Sequence, residues 1–201
     1  MLATEFHIAA VIPAAGLSSR MDRNKLLLNF RGRPLIRQAV ETVLAAGIKE
    51  VLVVLGHEAE KVKVALADLP VQLIENRDYQ LGLSTSVRAG VKAVPDNFEG
   101  IMVYLADQPW VEAADLEHLI AAFETAGGMG KSIVVPFYHG TRGNPVILAA
   151  KHREEILEIS GDVGCKRVIQ KRADQVLSVE MLNDHVIRDI DSPEDYEGTL
   201  G

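Results

Sequence analysis

The sequence has one cysteine, Cys165, no excess of positive charge and no apolar run long enough to cross a bilayer. A lone cysteine excludes a disulfide framework and a multi-cysteine zinc site. Lys and Arg number 21 against 28 Asp and Glu, a formal charge of −7. That balance argues against a general nucleic-acid binder, which needs a basic face to neutralise phosphates. It leaves room for a small anionic ligand, for which one cationic loop suffices. Runs such as Ile8–Ala15 and Val51–Leu55 are too short to span a membrane. The opening residues MLATEFH show no basic region followed by an apolar stretch. These absences predict a cytoplasmic protein in a reducing compartment, with neither membrane nor nucleic acid as partner. Internal repeats and low-complexity segments are also missing. What is present is the material of a folded protein: 201 residues, 48% hydrophobic and 24% charged. That suits a single domain over 1–201 with a sizeable core.

Short apolar runs alternate with helical patterns. The apolar runs predict strands at His7–Pro13, Glu50–Leu55, Val71–Glu75, Ile101–Leu105, Ser132–Phe137, Asn144–Ala149, Val176–Glu180 and Val186–Ile190. Between them, helical spacing predicts helices at Pro34–Ala46, Glu58–Asp68, Ser84–Val94, Ala113–Ala126, Lys151–Ile159 and Val163–Arg172. Gly47 reads as a helix stop, Ser84 as an N-cap, and Ser192-Pro193 as a last helix start. Alternation of this kind predicts a three-layer α/β/α, Rossmann-like architecture with a mostly parallel mixed sheet. Ligands in such folds bind at the carboxyl ends of the strands.

The residues after the strands therefore carry the chemistry. The first strand runs into Ala14-Ala15-Gly16-Leu17-Ser18-Ser19-Arg20-Met21, with Lys25 four residues on. Small residues allow close backbone approach, Gly16 permits a tight or left-handed turn, and successive N–H groups make an anion nest. Arg20 and Lys25 add a charged fork and a point charge. An ordinary loop with solvated cations has the same composition. Gly130-Lys131-Ser132 ends like a P-loop but follows a helix and precedes a strand, so it reads as a helix-terminal loop. His57-Glu58 lacks the second histidine of a zinc helix, with Lys61 in its place. Asp107 closes an apolar strand in Ala106-Asp107-Gln108-Pro109, where it suits either a turn or a hard divalent ion. Asp189 and Asp191 share a face at strand spacing, and Asp191-Ser192 equally suits a helix cap.

Taken in order along the chain, Pro13-Ala14-Ala15-Gly16-x-Ser18-Ser19-Arg20-Met21-x-x-x-Lys25-Leu26, Arg31-Gly32-Arg33-Pro34-Leu35, Ala106-Asp107-Gln108-Pro109 and Asp191-Ser192-Pro193-Glu194-Asp195 resemble the molybdenum-cofactor-type nucleotidyltransferases of the MobA-like NTP transferase superfamily. Gly82-Leu83-Ser84-Thr85-Ser86-Val87-Arg88-Ala89-Gly90, Gly143-Asn144-Pro145-Val146 and Gly161-Asp162-Val163-Gly164-Cys165 resemble its cytidylyltransferase branch. The chain departs at Pro13, where leucine is usual, and at Asn144, where histidine or a bulkier polar residue is frequent. The resemblance implies CMP transfer from CTP to the terminal phosphate of molybdenum-bearing molybdopterin, with Mg2+ as cofactor and a molybdoenzyme receiving the product. It implies catalysis by Lys25, Arg20 and Asp107, and metal binding by Asp107 and Asp191, with Asp189 the alternative second ligand. Ala14, Ala15, Gly16, Arg20, Lys25, Gly82 and Ser86 would bind the nucleotide in the N-terminal part. Gly143, Asn144, Pro145, Gly161, Asp162 and Gly164 would bind the acceptor in the C-terminal part. The alternatives are another phosphorylated acceptor such as a sugar or polyol phosphate, GTP as donor, and a non-catalytic cofactor-delivery protein.

Overall fold

The structure is a computed structural model that describes residues 7–18, 20–21 and 23–199. It begins with strand β1 (Ile8–Ala14), a small hairpin of β2 (Asn29–Phe30) and β3 (Arg33–Pro34), and helix α1 (Leu35–Ala45). Strand β4 (Glu50–Leu55), α2 (Ala59–Ala65), β5 (Gln72–Glu75) and α3 (Leu83–Ala93) follow. Next come β6 (Gly100–Val103), α4 (Ala113–Ala126), β7 (Ile133–Tyr138), β8 (Thr141–Arg142) and β9 (Val146–Ala149). The chain closes with α5 (Arg153–Leu157), α6 (Lys166–Lys171), β10 (Val176–Glu180) and α7 (Pro193–Glu197). No helix among the described residues is long and apolar enough to cross a membrane.

Eight strands form one sheet in the order β10-β7-β9-β6-β1-β4-β5, with β8 paired to β7. Six strands run the same way; β9 runs against both its neighbours, and β8 against β7. The chain winds from β1 outward to β4 and β5, then returns to lay β6 on the other side of β1. That reversal opens a crevice at the carboxyl ends of β1 and β6.

The alternating residues of the buried strands supply two cores. Ala10, Ile12, Val53 and Leu55 meet Ile36, Val40 and Val43 of α1 and Leu116 and Leu119 of α4. Ala9, Val11, Leu52 and Val54 meet Val87 and Val91 of α3, with Ile156 and Val168 of α5 and α6. The expected three-layer α/β/α fold with a mostly parallel mixed sheet is therefore the observed one. Gly90 lets α3 lie directly on the sheet: a Cβ there would stand 2.3 Å from Val11 Cγ1 and 3.0 Å from Val54 Cγ2.

Several elements differ from expectation. Val186–Ile190 alternates like a strand but is a 3-10 turn, His185–Ile187, followed by extended chain outside the ladders. It is held by the Gln108 side chain and by single main-chain bonds to Asn144 and Asp107. The expected Lys151–Ile159 helix is a 3-10 turn leading into the short α5, and α6 begins at Lys166 rather than Val163. Ser84 does not cap α3; Gly82 stands at that position, with φ +105°. Gly47 is the left-handed helix stop (φ +86°), and Ser192 caps α7 in a capping box. The Gly130-Lys131-Ser132 segment joins α4 to β7, as the reversed context implied.

At the amino end of β7, a buried polar chain runs from Ser132 Oγ to His152 Nε2 (2.9 Å), then from His152 Nδ1 to Glu155 Oε1 (3.3 Å). Lys171 and Arg172 also bind Glu155, so the arrangement fastens α5 and α6 to the sheet. Burial pushes the Glu155 carboxyl up, but Lys171, Arg172 and His152 pull it down to about 2. A carboxylate depressed in the folded state contributes stability above its ordinary pKa and loses it as pH falls through the folded value. Glu155→Gln should therefore flatten the stability loss between about pH 4.5 and pH 2, read by denaturant unfolding across that range. Gly90→Val should destabilise by about 1–3 kcal/mol through overpacking against Val11, measured by the same unfolding with m unchanged.

Candidate active site

The crevice at the carboxyl edge is a cleft of about 580 Å³. Gly16, Arg20, Lys25, Gly82, Ser86, Asp107, Asp162 and Asp191 all line it. At its centre, Lys25 Nζ donates to Asp107 Oδ2 at 2.6 Å and to Asp191 Oδ1 at 2.7 Å. Arg20 Nη2 donates to the other Asp191 oxygen at 2.8 Å. The Lys25 and Asp107 side chains are 16% and 18% exposed, whereas Arg20 is 68% exposed and reaches in from the rim. Burial alone would lower the Lys25 pKa; the Asp107 and Asp191 carboxylates outweigh it and hold it above the ordinary lysine value. Burial would raise Asp191, but Lys25 and then Arg20 hold it below the usual carboxylate range. Asp189 is raised by burial and by the neighbouring charges of Asp191 and Asp107.

Local structure explains how Lys25 arrives there. Asn24 Oδ1 accepts from Leu26 N at 3.1 Å and opens the 3-10 turn Lys25–Leu27. Ser18 Oγ accepts from Lys25 N at 3.1 Å, and Ser18 itself adopts φ +51°. The left-handed residue of this loop is thus Ser18, not Gly16. Ser19 lies outside the described residues. Ala14 and Ala15 are buried where β1 ends, and Ala15 O accepts from His57 N.

Asp107 and Asp191 are brought together by a side chain. Gln108 Nε2 donates to Val186 O at 3.0 Å, and Ile190 N donates to Asp107 O at 2.9 Å. These bonds hold the 186–190 segment along the end of β6 without a ladder. Leu28, Phe30, Leu35 and Ile190 form a small core with Met21, Trp110 and Tyr196 that joins the Lys25 loop to this segment. Sequence reading missed the bridging role of Gln108. The only signal for it is a polar residue directly after Asp107.

The opposite wall rests on Asn76, also missed. Its Nδ2 donates to Thr85 Oγ1 at 2.9 Å and Ser86 Oγ at 3.0 Å. Gly82 is required by its positive φ and by a neighbour: a Cβ there would stand 2.9 Å from Gly161 O. Gly161 O and Asp162 Oδ1 accept from Ser84 N and Leu83 N, both at 3.2 Å, so the 161–162 loop caps α3. Of the six expected acceptor residues, Asp162 alone lines the cleft. Gly161 and Gly164 stand behind it against α3. Gly143, Asn144 and Pro145 lie outside the cleft lining, because they pack under the 186 segment; Asn144 N donates to Val186 O, and a Cβ on Gly143 would meet Val186 O at 2.5 Å.

The residues suit a hard divalent ion. Asp107 Oδ1 is buried without a hydrogen-bond partner, and its other oxygen converges with Asp191 on one point. Among the described residues no group of three or more His, Cys, Asp or Glu side chains could hold a metal alone. A metal here would be held by two carboxylates and by the ligand's own phosphates, the habit of Mg2+.

Comparison with known proteins agrees with this arrangement. The profile of the MobA-like NTP transferase domain matches residues 10–176. The chain belongs to this family of nucleotidyltransferases. It is 30% identical over 193 residues to the nicotine blue oxidoreductase of Paenarthrobacter nicotinovorans, covering 93% of each chain. It is 37% identical over 116 residues to the bifunctional protein GlmU of Halorhodospira halophila, which is 57% of this chain but 24% of GlmU. The chain thus spans about a quarter of that relative's length. In three dimensions it resembles a nucleotidyl transferase from Methanothermobacter, with TM-score 0.81, 25% identity and coverage of 96% and 97% of the two chains.

The bridging role of Gln108 is open to test. Gln108→Leu should cost about 0.5–1.5 kcal/mol by removing one of the two donors to the Val186 carbonyl and leaving Asn144 N as the other. Urea unfolding measures that loss, and nucleotide-binding affinity should weaken with it as Asp191 loosens.

Proposed function

We propose that the protein transfers CMP from CTP to the terminal phosphate of molybdenum-bearing molybdopterin and releases pyrophosphate, with Mg2+ as cofactor. The observation that carries this reading is the convergence of Lys25, Arg20, Asp107 and Asp191 in one cleft at the sheet's carboxyl edge. Such transfer needs positioning and charge stabilisation and little covalent work from the protein. An oxygen of the acceptor phosphate attacks the α-phosphorus of the nucleotide. The bond from that phosphorus to the β-bridging oxygen breaks, and its electron pair leaves with pyrophosphate. The acceptor phosphate is already anionic, so no side chain has to take a proton.

The chain's task is to bring two anions together. Lys25 exchanges its carboxylate partners for the reacting phosphate, and Arg20 steadies the triphosphate from the rim. Asp107 and Asp191 would hold Mg2+, which supplies neutralising charge to the phosphates. The N-terminal wall, from Gly16 to Ser86, takes the nucleotide, with Ala14 and Ala15 supporting the loop. The C-terminal side takes the acceptor, with Asp162 at the cleft, and Gly161, Gly164 and Gly143–Pro145 shaping the support behind it. A molybdoenzyme is the proposed recipient of the product.

The name of the nicotine blue relative favours a second reading, an oxidoreductase, and a dinucleotide site after the first strand is the sequence feature that would support it. The loop after β1 argues against it: Ala14-Ala15-Gly16-Leu17-Ser18-Ser19 carries one glycine where the dinucleotide fingerprint has three.

A competition assay with CTP, GTP and molybdenum–molybdopterin, read by pyrophosphate release, tests the proposal. CTP-dependent release supports it. Preference for GTP, turnover only with a sugar or polyol phosphate, or tight acceptor binding without turnover would each replace it. Lys25→Ala should lower turnover about 100- to 1,000-fold, the cost of removing one charge-stabilising donor. Asp107→Ala should abolish turnover and leave far-UV circular dichroism unchanged; a near-normal rate in either variant removes that residue from the reaction.

A further inference from the structure

Two neighbouring hydroxyls at the start of α3 share one donor and differ in what they do with their own protons. That donor is Asn76, which is 7% exposed and sits just past β5, where its N–H donates to Leu55 O at 2.9 Å. Its side-chain orientation follows from the network around it. Asp78 N donates to Asn76 Oδ1 at 3.0 Å, so the amide oxygen faces that N–H and the two Nδ2 protons face the hydroxyls. One proton goes to Thr85 Oγ1 at 2.9 Å and the other to Ser86 Oγ at 3.0 Å. Thr85 spends its own proton on the main chain, at Asp78 O (3.0 Å) and Gly82 O (2.9 Å). No acceptor among the described residues takes the proton of Ser86.

The hydroxyl with the unspent proton is the one at the cleft. Ser86 lines the cleft and Thr85 does not. Ser86 is also 4% exposed, so most of its surroundings are protein. Asn76 Nδ2 holds one lone pair of Ser86 Oγ, which bars the proton from that side. A proton turned into the protein would meet no acceptor, and a buried hydroxyl proton left unanswered is costly. The cleft is the direction in which it finds one.

We propose that Asn76 is a positioning residue for base selection: it holds the acceptor side of the Ser86 hydroxyl, so that Ser86 donates into the cleft and selects a nucleobase that offers a lone pair there. The inference rests on the reading of this wall as the nucleotide's, and it depends neither on the acceptor nor on transfer. Cytosine carries lone pairs at O2 and N3. Uracil carries an N–H at N3 and guanine an N–H at N1, and a donor that meets a donor in a buried place leaves both unanswered. The Asn76–Ser86 pair thus separates CTP from UTP, a triphosphate of nearly the same size and the same charge.

The test is a pair of calorimetric titrations, CTP and UTP, into the protein with Mg2+ and without acceptor. The wild type should bind CTP about 10- to 100-fold more tightly than UTP. Asn76→Leu keeps the bulk and frees Ser86 to turn, so it should shrink that ratio. Asn76→Asp supplies a carboxylate that takes the Ser86 proton, so it should bring the ratio to about one or invert it. Ser86→Ala, with no hydroxyl, should also give about one. Taking the ratio removes the effect of the added carboxylate on the triphosphate, which both nucleotides feel equally. A wall merely loosened by the substitutions would weaken CTP and UTP in parallel and leave the ratio at its wild-type value. That result overturns the proposal, as does a wild type that binds the two equally. If CTP selectivity is present and is lost in Asn76→Asp, yet the wild type turns over no molybdopterin acceptor, the transfer reading fails and the base-selecting pair stands.

Discussion

One ammonium group shared by two carboxylates organises this molecule's working edge. Asp107 and Asp191 come from segments 84 positions apart in sequence (191 − 107), and the Lys25 amine sits between their carboxylates. Two carboxylates converging on one point repel and one of them would protonate; a cation at that point removes the conflict. The surrounding structure holds the three partners in reach. Asn24 and Ser18 shape the Lys25 turn, Gln108 ties down the 186–190 chain, and Ser192 starts the helix that stops Asp191 from fraying. The small core around Phe30 and Ile190 joins the first and last of these segments. The resting ion cluster is also the arrangement a triphosphate and a divalent ion would dissolve and replace. Much of the binding energy for the two ligands is therefore an exchange of partners among fixed charges, not the creation of charges in a dry site.

The sequence was readable where packing alone decides. Strands β1, β4 and β6 are buried on both faces, so they are continuous apolar runs, and the helices between them carry one apolar stripe each. Strand ends then locate Gly16 and Asp107, whereas Asp191 is preferred over Asp189 only by the family resemblance. Reading failed where the decision was made by a distant partner. The 186–190 residues alternate as a strand would, yet the edge of β6 beyond Val103 offers them no ladder, and a glutamine side chain with one main-chain bond takes its place. Ser18 holds a left-handed conformation because its hydroxyl is committed to the Lys25 amide, a contact that no local propensity reveals. Gly143–Pro145 carries the letters of a ligand loop, but Val186 lies over it. The residues that mattered most and were least legible, Gln108 and Asn76, are polar side chains whose roles depend on what faces them across the fold.

The two cleft walls differ in how they are built. One wall is tightly built: Asn76 clamps Thr85 and Ser86, and Gly90 seats α3 directly on Val11. Beside it the wall is a loop, 161–162, resting its carbonyl and carboxylate oxygens on the first turn of that same helix. Because Gly82 and Gly161 touch backbone to backbone, a shift in one wall is felt by the other with no side chain in between.

Strand β9 runs against β6 and β7, and this has a geometric consequence. A strand in the common direction would deliver only its exit to the working edge. The reversed one delivers its entrance, so the turn from β8 into Val146 also opens there. There it meets Val186 through Asn144 N, so the turn that starts β9 underlies the segment that brings Asp191 to Asp107, and the reversed strand ties the far half of the sheet to the lysine–carboxylate cluster.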